Sequence, residues 1–113
     1  MNANDTLSHH NCTDDYHKYN FGLIITDGAL ALAEKFECFW FLDIIASYQP
    51  KLQQEEFQVW RLKRDDNSSE ANVTCDNGNG KILRKQRIPF TDFSANEATI
   101  WVESGVALLP SEH

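Results

Sequence analysis

The stretch TDGALALAEKFECFWFLDIIASYQP, Thr26 to Pro50, constrains the fold more than any other part of the chain. Thr26 or Asp27 can accept a hydrogen bond from a free backbone N–H at a helix start, Asp27 suits the positive end of the helix dipole, and Pro50 forbids continuation. Between these ends Leu30, Ala33, Trp40, Phe41, Ile44, Ile45 and Tyr48 fall mostly at three- and four-residue steps, while Phe36, Phe39 and Leu42 widen the apolar stripe. The spacing predicts a largely buried helix. Its apolar face rotates near Lys35 to Glu37, which leaves room for a kink or a break there.

After this helix the period changes from helical to alternating. Gln53 to Glu56 make a polar connection, Phe57 to Lys63 reads as a strand, and Asp65 to Ser69 is a turn. Glu70 to Cys75 follows as a strand with Ala71, Val73 and Cys75 on one face. Asp76-Asn77-Gly78-Asn79-Gly80 tolerates positive φ and forms a hairpin loop into Lys81 to Ile88, a strand that Pro89 ends. Phe90-Thr91-Asp92-Phe93 is a loop pinned by two aromatic rings. Thr99 to Glu103 and Val106 to Leu109 are the last strands, joined by a Ser104-Gly105 turn. Ahead of the helix, Phe21 to Ile25 is a short strand or an extended lead-in. Residues 1–20 are a polar arm, mobile in part, with Tyr16 and Tyr19 placed to dock on the core. The expected architecture is α+β: one long or kinked helix packed on an antiparallel β-meander of four to six strands, with residues 21–113 as a single domain.

A chain of 113 residues supports one core, burying ~65% of its unfolded surface. No apolar run approaches the ~20 residues of a membrane span. The start, MNANDTLSHHNC, lacks the basic and then apolar segments of a signal peptide, so a cytoplasmic location is expected. Cys12, Cys38 and Cys75 cannot all pair within one chain and form no C-x-x-C motif, which reads as free thiols in a reducing compartment. The four Asn-x-Ser/Thr sequons, at Asn4, Asn11, Asn67 and Asn72, are discounted on that basis.

The net charge of −7 is unevenly spread. Residues 1–60 carry nine acids and three bases, residues 61–87 four acids and seven bases, and residues 88–113 four acids and no base. An acidic body repels nucleic acid at long range, yet a local basic patch can still touch a phosphate backbone or an acidic protein. If Trp60, Leu62, Ala71, Val73, Ile82 and Ile88 face the helix, alternation sends Arg61, Lys63, Lys81, Lys85 and Arg87 mostly to the opposite face. There they would flank a strip bearing Asn72 and Thr74, the outer strands lying ~10 Å apart. The plainer reading is a solvated face whose charges guard against aggregation.

Other chemistry is weakly signalled. His9, His10, Cys12 and His17 include metal-capable donors, but their spacing matches no established zinc pattern, and no metal or cofactor is expected. Cys75 reads as a core cysteine and not as a nucleophile, since no group to orient a base can be named. Asp43, amid Trp40, Phe41, Leu42, Ile44 and Ile45, is an acid/base residue only if it sits in a cleft, and a structural hydrogen bond is the better account. Asp76 to Gly80 lacks both the ligand series of a calcium loop and the lysine-serine end of a phosphate loop.

TDG (Thr26 to Gly28), LAE (Leu32 to Glu34), Trp40, DIIASYQ (Asp43 to Gln49), FQVW (Phe57 to Trp60), VTCDNGNG (Val73 to Gly80), IPFTDF (Ile88 to Phe93) and LLPSEH (Leu108 to His113) together carry a resemblance. The chain resembles, over roughly residues 13–113, a small domain family met in bacterial genomes and on phages and plasmids, with no assigned activity. It departs from that family in its His- and Cys-bearing arm and in the bulky Phe36, Cys38 and Phe39. The resemblance implies a single α+β domain from on or near mobile elements, and transfers no catalytic residue.

The function expected is a non-enzymatic binding protein that binds a host protein or ribonucleoprotein and antagonises a host defence system, an RNA-guided nuclease being the named case. Arg61, Lys63, Lys81, Lys85 and Arg87 are the expected contact residues, with RNA touched through the basic face and no membrane involved. The alternatives are a small enzyme using Asp43 or the His-rich arm, and a module self-associating through an exposed edge such as Val106 to Leu109.

Overall fold

The computed structural model describes residues 2–6, 15–65, 69–89, 91, 93 and 95–113. Two helices stand where the apolar stripe predicted one: α2, Asp27–Lys35, and α3, Phe39–Tyr48, which runs on into a 3-10 turn at Gln49–Lys51. A shorter helix, α1, spans Ala3–Thr6. Thr26 caps α2, its hydroxyl accepting from the Ala29 N–H at 3.2 Å. The break is a Schellman ending. Glu37 takes φ 52°, its N–H reaches Glu34 O at 3.4 Å, and the Cys38 N–H reaches Ala33 O at 2.9 Å. Ala33 and Cys38 are both fully buried beside this crossing. The rotation of the apolar face near Lys35 to Glu37 is thus a change of helix.

The strands are β1 (Tyr16–Lys18), β2 (Ile24–Thr26), β3 (Phe57–Arg64), β4 (Ala71–Asp76), β5 (Ile82–Ile88), β6 (Glu97–Glu103) and β7 (Val106–Leu108). They form one mixed sheet in the order β1-β2-β7-β6-β3-β4-β5. Each neighbouring pair is antiparallel except β2 and β7, which run parallel. The sheet is therefore wider than the expected meander, and β6 crosses back to lie beside β3. Ser104 and Gly105 both take positive φ, as a two-residue hairpin turn between β6 and β7 requires.

The interior position of β7, between β2 and β6, corrects the expectation that Val106 to Leu109 is a free edge. The edges among the described strands are β1 and β5. Residues 2–6 lie along the part of β6 that the short β7 leaves uncovered: Ala3 is fully buried, and the Asn4 side chain bonds both the carbonyl and the N–H of Thr99.

The helices cover one face of the sheet. Leu32, Phe41, Leu42 and Ile45 pack with Trp60, Leu62, Val73, Ile100 and Val102 in a single buried cluster. Phe36 and Phe93 meet in it at 5.9 Å. Gln58, 1% exposed, lies in the same layer. It exchanges two hydrogen bonds with Gln49, at 2.9 and 3.1 Å, and accepts from Trp60 Nε1 at 2.8 Å. A buried amide at this position is tolerated because its partners are built in. No helix among the described residues is long and apolar enough to cross a membrane.

Candidate functional site

The face of β3, β4 and β5 away from the helices carries most of the predicted contact residues. Register sets Arg61 beside Thr74 and Thr74 beside Lys85, and, two residues along, Lys63 beside Asn72 and Asn72 beside Arg87. Two rows of cation, polar residue and cation result, with ~10 Å between the outer strands. The six side chains line an open depression of about 560 Å³.

Lys81 does not join them. It lies before β5 and lines a separate hollow with Pro50, Gln53 and Glu55. Ile82 also departs from expectation. The register shifts between Cys75 and Asp76, leaving Leu83 as an extra residue, so Ile82 pairs with Asp76 and is 49% exposed instead of facing the helices. A bulge turns two successive residues toward the same side. Leu83 packs against the core, and the Arg84 guanidinium lies 6.0 Å from the Tyr48 ring centre.

Two of the cations are matched by carboxylates of the chain itself. Arg61 pairs with Asp76, whose carboxylate is nearly buried. Arg87 holds both Asp65 and Glu70 at 2.7 Å. Lys63 and Lys85 are exposed with no carboxylate partner among the described residues. Of the remaining bases in the segment, Arg64 bonds Phe93 O at 2.7 Å and Arg84 bonds Leu83 O at 2.6 Å. The excess of bases over residues 61–87 is therefore divided between two faces, and on the outer one it is largely balanced. Alternation held the signal for this: Asp65 shares parity with Arg61 and Lys63, and Glu70 and Asp76 share it with Asn72 and Thr74.

The Asp76 to Gly80 loop closes on itself. Asp76 Oδ1 accepts from the Gly78 N–H at 2.8 Å, and Asn77 Oδ1 accepts from the N–H groups of Asn79 and Lys81 at 2.9 and 3.2 Å. Gly78, at φ 84°, lies against Phe57, where an added Cβ would come within 2.9 Å of the ring. This contact seals Val59, which points outward yet is only 3% exposed. Phe57 also meets Trp101 edge-on at 5.3 Å, and Trp101 meets His113 at 5.2 Å.

The other sequence-predicted groups take structural places. Asp43 is exposed on α3 and accepts from the Tyr19 hydroxyl at 2.5 Å, so it is not the desolvated cleft carboxylate that acid/base chemistry calls for. Burial, followed by that bond, holds the Tyr19 phenol above its usual range. Burial also pushes the Cys75 thiol up to about 12, opposite to the shift an activated nucleophile needs. His17 Nε2 lies 2.8 Å from Asp27 Oδ1. His9, His10, Cys12, Phe90 and Asp92 lie outside the described residues, and among the described ones no three His, Cys, Asp or Glu side chains gather to hold a metal ion.

The sequence blocks that carried the resemblance meet each other in the fold. TDG meets LLPSEH through Glu112, and DIIASYQ meets FQVW through Gln49, Gln58 and Trp60. No curated protein and no solved structure matches the chain. A family model matches residues 1–113, and the chain belongs to that family, described as a family of unknown function (DUF6876).

Proposed function

We propose that the protein is a non-enzymatic binding module whose docking surface is the outer face of β3, β4 and β5. One observation carries this reading: the face is left bare by the helices and presents Lys63 and Lys85, without carboxylate partners among the described residues, on either side of Asn72 and Thr74. Arg61 and Arg87 are held by Asp76, Asp65 and Glu70 and act as ordered charge pairs around them.

A face of mixed sign suits a protein surface of complementary pattern, because such patterning sets orientation and rejects wrong partners. It suits bare RNA less well. Phosphate binding grows with the number of cations that release counterions, and among the described residues two on this face lack a carboxylate partner, on a chain of net charge −7. The partner is accordingly read as a host protein, or the protein part of a ribonucleoprotein, met in the cytoplasm. The resemblance to domains carried by phages and plasmids extends the reading to antagonism of a host defence system, with an RNA-guided nuclease as the first case to test.

The experiment is affinity capture from host lysate with the tagged full chain and with Lys63→Glu/Lys85→Glu, each with and without nuclease. A stoichiometric protein that survives nuclease and is lost with the variant supports the reading. Loss of the partner on nuclease treatment transfers the role to RNA. An absence of any partner, with or without nuclease, overturns the reading.

A further inference from the structure

The free edge of the sheet at β5 offers a more specific way to bind. Among the described strands β5 pairs only with β4, so alternate N–H and C=O groups of Ile82–Ile88 point away from the sheet. Such an edge is a template for another strand. Its sequence, ILRKQRI, holds three cations and no acid; Arg84 lies against the Tyr48 ring and Arg87 is held by Asp65 and Glu70, so Lys85 is its exposed cation without a carboxylate partner among the described residues. That composition decides against a second copy of the chain. An antiparallel self-pairing centred on residue 84 or 85 sets Arg84 or Lys85 opposite itself, and one centred on 86 sets Lys85 opposite Arg87. The half-step registers between them oppose Arg84 to Lys85 or to Arg87. Like charges directly opposite one another are destabilising.

We infer that β5 is the docking edge for an extended acidic segment of a partner protein, which joins the sheet as an eighth strand. The inference rests on the binding-module reading above and names the mode of contact. Backbone hydrogen bonds to the edge supply affinity, and alternate side chains supply selectivity. On the outer side, carboxylates of the added strand would lie beside Lys85, the cation of this edge without a carboxylate partner among the described residues, and not beside Arg87, which Asp65 and Glu70 already hold. At the start of the edge, the Leu83 carbonyl is already taken by the Arg84 guanidinium. The usable stretch is therefore Lys85 to Ile88, with the exposed Ile82 beyond it as an apolar contact.

The test titrates the full chain with a ten-residue peptide alternating Glu with Val and Thr, following backbone amide shifts by NMR. The comparisons are its Lys-for-Glu counterpart and two forms N-methylated at alternate residues, one in each register. The inference expects shifts concentrated in β5, no binding of the Lys peptide, at least a tenfold loss from one N-methylated form and little from the other, and a similar loss in Lys85→Glu. No binding of the acidic peptide overturns it, as does binding indifferent to both N-methylations. If N-methylation is without effect while Lys63→Glu weakens binding, strand addition fails and docking on the outer face stands. A concentration-dependent dimer that Lys85→Glu alters would show that a second copy takes the edge, and would also overturn it.

Discussion

The Glu112 carboxylate occupies the space that a side chain on Gly28 would take. Its Oε2 accepts from the Gly28 N–H at 3.1 Å, and a Cβ at position 28 would overlap it. Its Oε1 accepts from the Thr26 hydroxyl at 2.6 Å and the Leu109 N–H at 2.9 Å. An acid from the last turn of the chain thus satisfies a free donor at the start of α2, where negative charge is favoured.

Gly28→Ala is expected to lower stability by about 2 kcal/mol through overpacking, and Glu112→Ala by about 2 kcal/mol through loss of charge-assisted bonds. The two act on one contact, so the double variant should fall well short of the sum. Urea midpoints of the four proteins check this, and additive losses would mean that the contact is not shared.

Glu37 stands in the left-handed region at the end of α2, where a side chain costs roughly 1–2 kcal/mol. Glu37→Gly should raise stability by about 0.5–1 kcal/mol after the entropy of the added glycine is offset. A rise in melting temperature is the expected result.

Gln58→Leu removes the acceptor of Trp60 Nε1 and both bonds between Gln49 and Gln58, leaving the Gln49 amide only its bond to the Ile45 carbonyl. Stranding these groups should cost about 3 kcal/mol. Gln49→Leu/Gln58→Leu should recover part of that loss, because fewer polar groups are left unpaired. Equilibrium unfolding of the single and double variants decides it.

Burial raises the Cys38 and Cys75 thiols from 9.0 to about 12. The folded chain keeps protons that the unfolded chain releases. This contribution to stability is therefore complete below pH 9 and is lost as the pH rises toward 12. The melting temperature should decline across that window, and Cys38→Ala/Cys75→Ala should decline less steeply. A wild-type profile no steeper than the variant's would contradict the sign.

The strands after residue 56 were legible because alternation of apolar residues reports directly on which face is buried, and β3, β4 and β5 fall close to their expected bounds. The paired polar blocks were not. Nothing local in TDG announces that Glu112 will reach Gly28, and nothing in FQVW announces Gln49, since both contacts join distant parts of the chain. Strand β1 was missed because Tyr16–Lys18 is too short and polar to show a period, and is fixed by pairing with β2. The parallel pairing of β2 with β7 depends on how the chain returns after the helices. Arg61, Lys63, Lys85 and Arg87 share the outer face as alternation implies and Lys81 does not, while Asp65, Glu70 and Asp76 reach the same face by the same parity, so it carries less net charge than the basic run suggests.

Lys63 and Lys85 are proposed to present the docking charge. The most direct measurement is isothermal titration of the captured partner with the wild-type chain and with Lys63→Glu/Lys85→Glu, after confirming that the two melt at the same temperature. A loss of about tenfold or more in affinity, ~1.4 kcal/mol or above, is the expected result. Equal affinity in the two folded proteins would contradict the claim.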